Sequence, residues 1–245
     1  MPGNVEGLGS LFQVYRAIVF FDTETTGLDA QGDQIIELAA IRIDCNGNRR
    51  EMDEFIRMPY GKSIPEEIVR LTHITDEMLA KEGKEEIDVA WKFGTFMEVG
   101  KTLLIAHNAQ FDLNFVAWLF INHRKQHPEW LVRFNAADYL DTLTVYKDRA
   151  MYPHKLADAI KFYGLEDKVQ NTHRAIDDVA ALLEVTKAMA DQRDDLLGYV
   201  NIFGYNQKYG INGSALKKIT YHAQKFRNGI VLPEQTLPAL IQGNK

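Results

Sequence analysis

Apolar and polar positions follow two rhythms along this chain, and the changes of rhythm mark its elements. Ala17–Phe21 is short and continuously apolar, the pattern of a strand buried on both faces. Ile35–Asp44 reads as a second strand, Cys45–Asn48 (CNGN) supplies a turn, and Glu51–Ile56 returns as a third. The sheet is therefore expected to open antiparallel. Leu103–Ala106 is another buried strand, and Phe134–Asp141 is read as one more. Elsewhere the period is helical. Ser63 is placed to cap a segment starting at Pro65. Val89, Phe93, Phe96 and Met97 share one face of a helix over Ile87–Val99. Phe111, Phe115, Val116, Leu119 and Phe120 form an apolar stripe along Phe111–Asn122. Leu143–Ala150, Lys155–Tyr163 and a long segment from Arg174 to Asp195 complete the helices, with Tyr152-Pro153 as a break. Strands that alternate with helices after an antiparallel start predict an α/β layered domain. Residues 1–14 are Gly-rich and expected to be loose and flexible. The domain is expected over residues 15–195, followed by a small Tyr/Asn/Gly-rich extension over residues 196–245.

Composition adds limits. With 46% hydrophobic residues the chain can build a core without staples, and Cys45, its only cysteine, excludes an intrachain disulfide. A reducing compartment fits. The first residues lack the basic flank and apolar run of a secretory signal, and no stretch is long enough to span a membrane. A soluble, cytoplasmic protein is expected. The net charge of −6 argues against a nucleic-acid partner until its distribution is considered. Residues 1–195 carry 22 basic and 33 acidic residues, and the last 50 carry six and one. The chain has an acidic body and a basic tail. In that tail Lys208, Lys217, Lys218, Lys225 and Arg227 could neutralise phosphates while Tyr205, Tyr209, Tyr221 and Phe226 stack on bases. The bland alternative is an appendage packed on the body, its lysines solvated or ion-paired.

Three motifs carry candidate chemistry. In FFDTETTG, Asp22 and Glu24 stand two apart, so in a strand both side chains leave the same face. Two such carboxylates repel each other unless a cation or proton intervenes. Taken alone they also fit a solvated strand end. In AHNAQFD, Asn108 is a candidate helix cap and Asp112 falls in the first turn, where an acid also suits the helix dipole. In HRAIDD, His173 precedes the last long helix, and Asp177 and Asp178 lie in its first turns. Four acids and a histidine at junctions of strands and helices suggest a cage for divalent cations with a proton acceptor beside it, the equipment of metal-dependent phosphodiester hydrolysis.

In this order the motifs resemble those of the DEDDh (DnaQ-like) 3′→5′ exonucleases, a superfamily that includes the proofreading subunit of bacterial replicative DNA polymerase. The likeness spans about residues 15–190 and is supported by IIELAAI, LTHITDEML, LDTL and KLADAIKFYGL. It implies an RNase H-like fold with a central five-stranded mixed sheet flanked by helices. It implies metal binding by Asp22, Glu24, Asp112 and Asp178, with two Mg²⁺ or Mn²⁺ ions per site. It implies a general-base role for His173, whose position five residues before Asp178 selects that acid over Asp177. A tyrosine there would mark the sister subgroup. Thr25, Thr26 and Leu28, with Asn108 and Phe111, are implied to hold the terminal nucleotide. One departure stands out: in Thr72-His73-Ile74-Thr75 a histidine replaces the glycine of many relatives, which predicts an altered backbone there.

The function expected is removal of nucleoside 5′-monophosphates from single-stranded DNA. Trimming of RNA 3′ ends or short RNA is the nearest alternative, and a non-catalytic polymerase-associated subunit is a third. The expected partners are single-stranded nucleic acid, a polymerase and a second copy of the chain.

Overall fold

The computed structural model describes residues 7–97, 101–169 and 174–224. The chain enters through a short helix, α1 (Gly9–Phe12), and then lays down β1 (Ala17–Thr25), β2 (Ile35–Asp44) and β3 (Arg49–Phe55). Helices α2 (Glu66–Thr72), α3 (Asp76–Glu82) and α4 (Glu86–Phe96) lead to β4 (Thr102–Ala106). Helices α5 (Ala109–His123) and α6 (Pro128–Ala136) precede β5 (Asp138–Asp141), and α7 (Thr142–Arg149), α8 (Leu156–Phe162) and α9 (Ala175–Gln192) follow it. Two short strands, β6 (Ile202–Tyr205) and β7 (Thr220–Ala223), pair in parallel in the extension. The main sheet has the order β3-β2-β1-β4-β5. Strand β1 runs antiparallel to β2 and parallel to β4, and β5 is parallel to β4. This is the five-stranded mixed sheet of an RNase H-like fold.

Strand alternation sorts the core into two layers. Ile18 and Phe20 point to one side of β1 and pack with Val179, Leu182 and Met189 of α9. Val19 and Phe21 point to the other and pack with Phe93 of α4 and Leu113, Val116 and Phe120 of α5. All four β1 side chains are fully buried, and each such burial stabilises by roughly 1.5–3 kcal/mol. Helices α9 and α5 therefore clamp opposite faces of the same strand, and β1 is the element both reach.

Several expectations need correction. The first strand runs past Phe21 to Thr25, because β2 continues to pair with it as far as Ile35. Asp22 and Glu24 thus belong to the strand. Ser63 is no cap: Pro65 occupies the N-cap of α2 without a side-chain bond. The cap in this region is Thr75, whose hydroxyl accepts from the Met78 N–H of α3. Phe134–Ala136 is helical and only Asp138–Asp141 is extended. Pro128 starts α6, and Trp130 and Phe134, one turn apart, are both buried by it, so tertiary packing overrides the strand pattern. The helix expected over Ile87–Val99 ends at Phe96, and Val99 lies outside the described residues. Within residues 1–14, Leu8 and Leu11 are fully buried against the α9 layer.

His73 takes φ 59° and ψ 14°, a left-handed conformation that closes α2. The position keeps the geometry a glycine adopts freely. A histidine there is strained by about 1–2 kcal/mol. His73→Gly is expected to stabilise the protein by roughly 0.5–1 kcal/mol once the freer unfolded chain is subtracted. Urea denaturation checks this; a loss of stability would rule it out.

The change of composition near residue 196 is not a break in packing. Leu196, Leu197, Tyr199 and Val200 join the α9 layer, and Phe203 and Ile219 join the α5 layer. Lys218 reaches Asp138 at 2.5 Å and the Ala137 carbonyl at 2.7 Å, so this lysine is ion-paired. The Tyr221 hydroxyl donates to Gln110 at 2.7 Å. Lys225, Phe226 and Arg227 lie outside the described residues. Among the described residues no helix is long and apolar enough to cross a membrane.

Candidate active site

Period two in β1 sends Asp22 and Glu24 to the side of Ile18 and Phe20, the face covered by α9. Asp178 is the fourth residue of α9 and is buried, so it descends onto the same face. One carboxylate oxygen from each of Asp22, Glu24 and Asp178 lies within 4.8 Å of the others. Asp112 is the fourth residue of α5, on the opposite side of the sheet. Its Oδ1 accepts from the Thr23 N–H at 3.1 Å and from the Thr23 hydroxyl at 2.7 Å. Thr23, between the two acids of β1, thereby pins Asp112 to the strand that carries them. Asp112 stands outside the three-acid cluster but is the strongest charged neighbour acting on Asp22.

Glu37 is the residue that pattern reading missed. It sits on β2 opposite Glu24 and is fully buried. Its Oε1 accepts from Arg174 Nε at 2.9 Å and Nη2 at 2.7 Å, and its Oε2 accepts from the Ala175 N–H at 3.0 Å. A charge-assisted fork of this kind fixes the first turn of α9, and with it Asp178. The hint was present in the sequence: a lone glutamate inside the apolar run IIELAAI must find a partner once buried. Asp141, read only as a strand end, accepts from the N–H groups of Asn108, Ala109, Leu143 and Thr144 and from the Thr144 hydroxyl. It caps α5 and α7 together. Asn108 therefore receives its cap from another strand: it stands left-handed at φ 68°, and its own side chain makes no cap bond.

The remaining expected residues divide by their surroundings. The Thr25 hydroxyl donates to the Gly27 carbonyl, and the Thr26 hydroxyl donates to Asp33 and accepts from the Gln34 N–H, so both shape the β1–β2 turn. Leu28 is 86% exposed on that turn. With Phe111, Phe115, Trp118 and Asn212 it lines a cavity of about 130 Å³. His173 lies outside the described residues, one position before the anchored Arg174.

The electrostatics agree with the geometry. Burial, then Asp112, Asp178, Glu24 and Glu37, hold the Asp22 carboxyl well above the usual carboxylate range. Burial and Asp178 push Glu24 up to about 8. Burial raises Asp112 to about 7 against the opposing Thr23 hydrogen bonds. Acids stacked in this way bind protons or a cation more readily than isolated ones. An all-oxygen donor set suits a hard divalent ion such as Mg²⁺ or Mn²⁺. Because folded values are raised above unfolded ones, these groups favour the folded state at low pH and lose that contribution as pH rises through about 7–8. The melting temperature in EDTA is expected to fall between pH 5.5 and 8.5, and saturating Mg²⁺ should reduce the fall. Calorimetry in both buffers tests this; identical profiles would contradict a shared cation site.

The chain is similar to known proteins. Residues 19–186 match the RNase T-type exonuclease family model. The DNA polymerase III epsilon subunit of Treponema pallidum is 31% identical over 181 residues, covering 73% of this chain and 80% of that protein. The PolC-type DNA polymerase III of Staphylococcus haemolyticus is 35% identical over 202 residues, but the chain spans only 13% of its length. Among solved structures, a zinc-bound E. coli ExoI–ssDNA complex superposes with a TM-score of 0.64 at 23% identity, over 75% of this chain and 42% of that one. The last of these is a likeness of fold. The family match across the sheet and both acid-bearing helices, joined to the identity with the epsilon subunit, shows that the chain belongs to the exonuclease family.

Proposed function

We propose that this protein is a metal-dependent 3′→5′ exonuclease of the DEDDh type that shortens single-stranded DNA and releases nucleoside 5′-monophosphates. The observation that carries the reading is the convergence of Asp22, Glu24 and Asp178 within 4.8 Å, with Asp112 tied to the same strand through Thr23. Asp22, Glu24 and Asp178 would hold one Mg²⁺ or Mn²⁺ ion, and Asp22 with Asp112 a second. When bound, such ions polarise the scissile phosphate and neutralise charge on the attacking and leaving oxygens. The protein's part is positioning. Glu37 locks the start of α9 through Arg174 and Ala175, and Asp141 locks the start of α5. His173, five residues before Asp178, takes the proton of the attacking water, the general-base task to which an imidazole is suited at neutral pH. Leu28 and Phe111 offer apolar surface to the terminal base, and Asn108 stands at the start of the helix that carries Phe111.

The polymerase relatives support a role in cytoplasmic DNA replication beside a polymerase, with proofreading as the task. A 5′-labelled strand should shorten one nucleotide at a time in Mg²⁺ and stay intact in EDTA. Internal cuts, or activity in EDTA, would overturn the reading, and faster shortening of RNA of the same sequence would replace DNA as the substrate. His173→Ala is expected to lower turnover about 10²–10⁴-fold with Mn²⁺ affinity unchanged by calorimetry. Lost Mn²⁺ binding would contradict the base role.

A further inference from the structure

A cavity of about 500 Å³ lies beside the acids and includes none of the four. Its floor is Asn108 and Asp141, at the carboxyl ends of β4 and β5. One wall is the segment Tyr152–Leu156, and the other is the extension, from Phe203 to Asn212 with Tyr221. His107 braces the first wall, its Nδ1 3.0 Å from the Thr142 hydroxyl and its Nε2 3.0 Å from the His154 carbonyl. The extension is held by Gly204 N–H to Thr144, by Gln224 to the Thr144 carbonyl and by Tyr221 to Gln110. The cavity is thus a built feature, with one wall fastened to His107 in the β4–α5 turn and the other to α5 and α7.

Its position and chemistry specify an occupant. β4 and β5 are the first and second neighbours of β1, so the floor of the cavity is offset by one to two strand spacings, about 5–10 Å across the sheet, from the strand that carries Asp22. That is a distance one or two nucleotides span. Asn212 lines both this cavity and the smaller one formed by Leu28 and Phe111, so the two are neighbours on either side of that residue. Lys147 and Lys155 bring positive charge, and Tyr205 and Tyr209 bring rings, Tyr209 being 66% exposed. Lys147 has no ion pair among the described residues, and burial pushes its ammonium down against the pull of Asp141. A phosphate beside it would restore what burial removes. Cations interleaved with aromatic rings along a groove are the recognition chemistry of single-stranded nucleic acid.

Resting on the exonuclease reading, we propose that this cavity holds the nucleotide on the 5′ side of the scissile phosphate, with Lys147 and Lys155 meeting its backbone and the tyrosines its base. The extension then supplies half of a substrate subsite, whereas Lys218 serves to hold it on the body.

Lys147→Met and Tyr209→Ala test this in the full chain with two substrates. Thymidine 5′-(p-nitrophenyl phosphate) has no upstream nucleotide, and a dT10 strand has. Each variant should raise KM for dT10 about tenfold and leave kcat/KM for the ester within about twofold. Equal losses on both substrates, or an unchanged KM for dT10, would overturn the subsite. Binding is read separately on an Asp22→Asn background, by anisotropy of fluorescent dT10 in Mg²⁺. There Lys147→Met should weaken binding and flatten the slope of log K against log salt by about 0.7; an unchanged slope would overturn the lysine's contact with phosphate. A wild-type chain that binds dT10 through Lys147 but cleaves neither substrate would instead refute the exonuclease reading and leave a binding groove.

Discussion

Asp22→Asn is expected to lower hydrolysis at least about a thousandfold and to raise the melting temperature of the metal-free protein. The two effects have one origin. Asp22 is the acid on which the other four press, with Asp112, Asp178, Glu24 and Glu37 all adding to the effect of burial. Its charge is what a cation needs and what the cation-free fold tolerates worst. Asparagine keeps the shape and removes the charge, so packing around β1 should survive. A thousandfold loss corresponds to roughly 4 kcal/mol of transition-state stabilisation, within the several kcal/mol that such ions supply. In EDTA, each kcal/mol of relieved repulsion should raise the melting temperature by about 2–4 °C in a domain of this size. Single-turnover hydrolysis of a labelled strand and thermal melting in EDTA measure the two halves. Wild-type turnover in the variant would sink the assignment, and a lower melting temperature in EDTA would sink the electrostatic argument.

Asp141→Ala should be the most destabilising single change near the site, at about 3–5 kcal/mol. Asp141 is buried and satisfies four backbone N–H groups and one hydroxyl drawn from two helices. Each buried donor left unpaired costs about 1–3 kcal/mol, with partial compensation by relaxation and water. Asp141→Asn should lose much less. It keeps the oxygen that serves Asn108, Ala109 and Leu143, so that only the Thr144 N–H loses its acceptor, while the Thr144 hydroxyl can rotate to accept from the new amide. Urea denaturation of both variants separates the cases. An alanine variant within about 1 kcal/mol of wild type would show that Asp141 does not hold the helix ends. The same substitution releases the first turn of α5, so Mn²⁺ affinity should also fall at temperatures where the variant is still folded.

The two variants also mark how far sequence reading reached. Asp22, Glu24, Asp112 and Asp178 could be named from short motifs because strand and helix periods are local. Two acids at i and i+2 share a face wherever the strand lies, and an acid in a first helical turn stays near the helix start. The strand Ile35–Asp44 was readable to its ends because an apolar run bounded by turn residues is a local signal. Phe134–Ala136 was misread for the opposite reason: nothing within those residues announces that Trp130 and Phe134 pack against the α5 layer. Glu37, Thr23 and Asp141 escaped because their partners are remote, Glu37 meeting Arg174 from 137 positions away and Thr23 meeting Asp112 from 89.

The sequence by itself determined the phase of each element, the residue types able to hold cations, and the acidic body with its basic tail. Only the tertiary structure decided that β1 lies between α9 and α5, that Glu37 and Asp141 fix the starts of those helices or their neighbours, and that the extension folds back to wall a cavity beside the acids. The physical reason is the range of the interactions. Periodicity follows from backbone geometry within a few residues, whereas convergence of charges follows from strand order and from hydrogen bonds that close only after distant segments have packed.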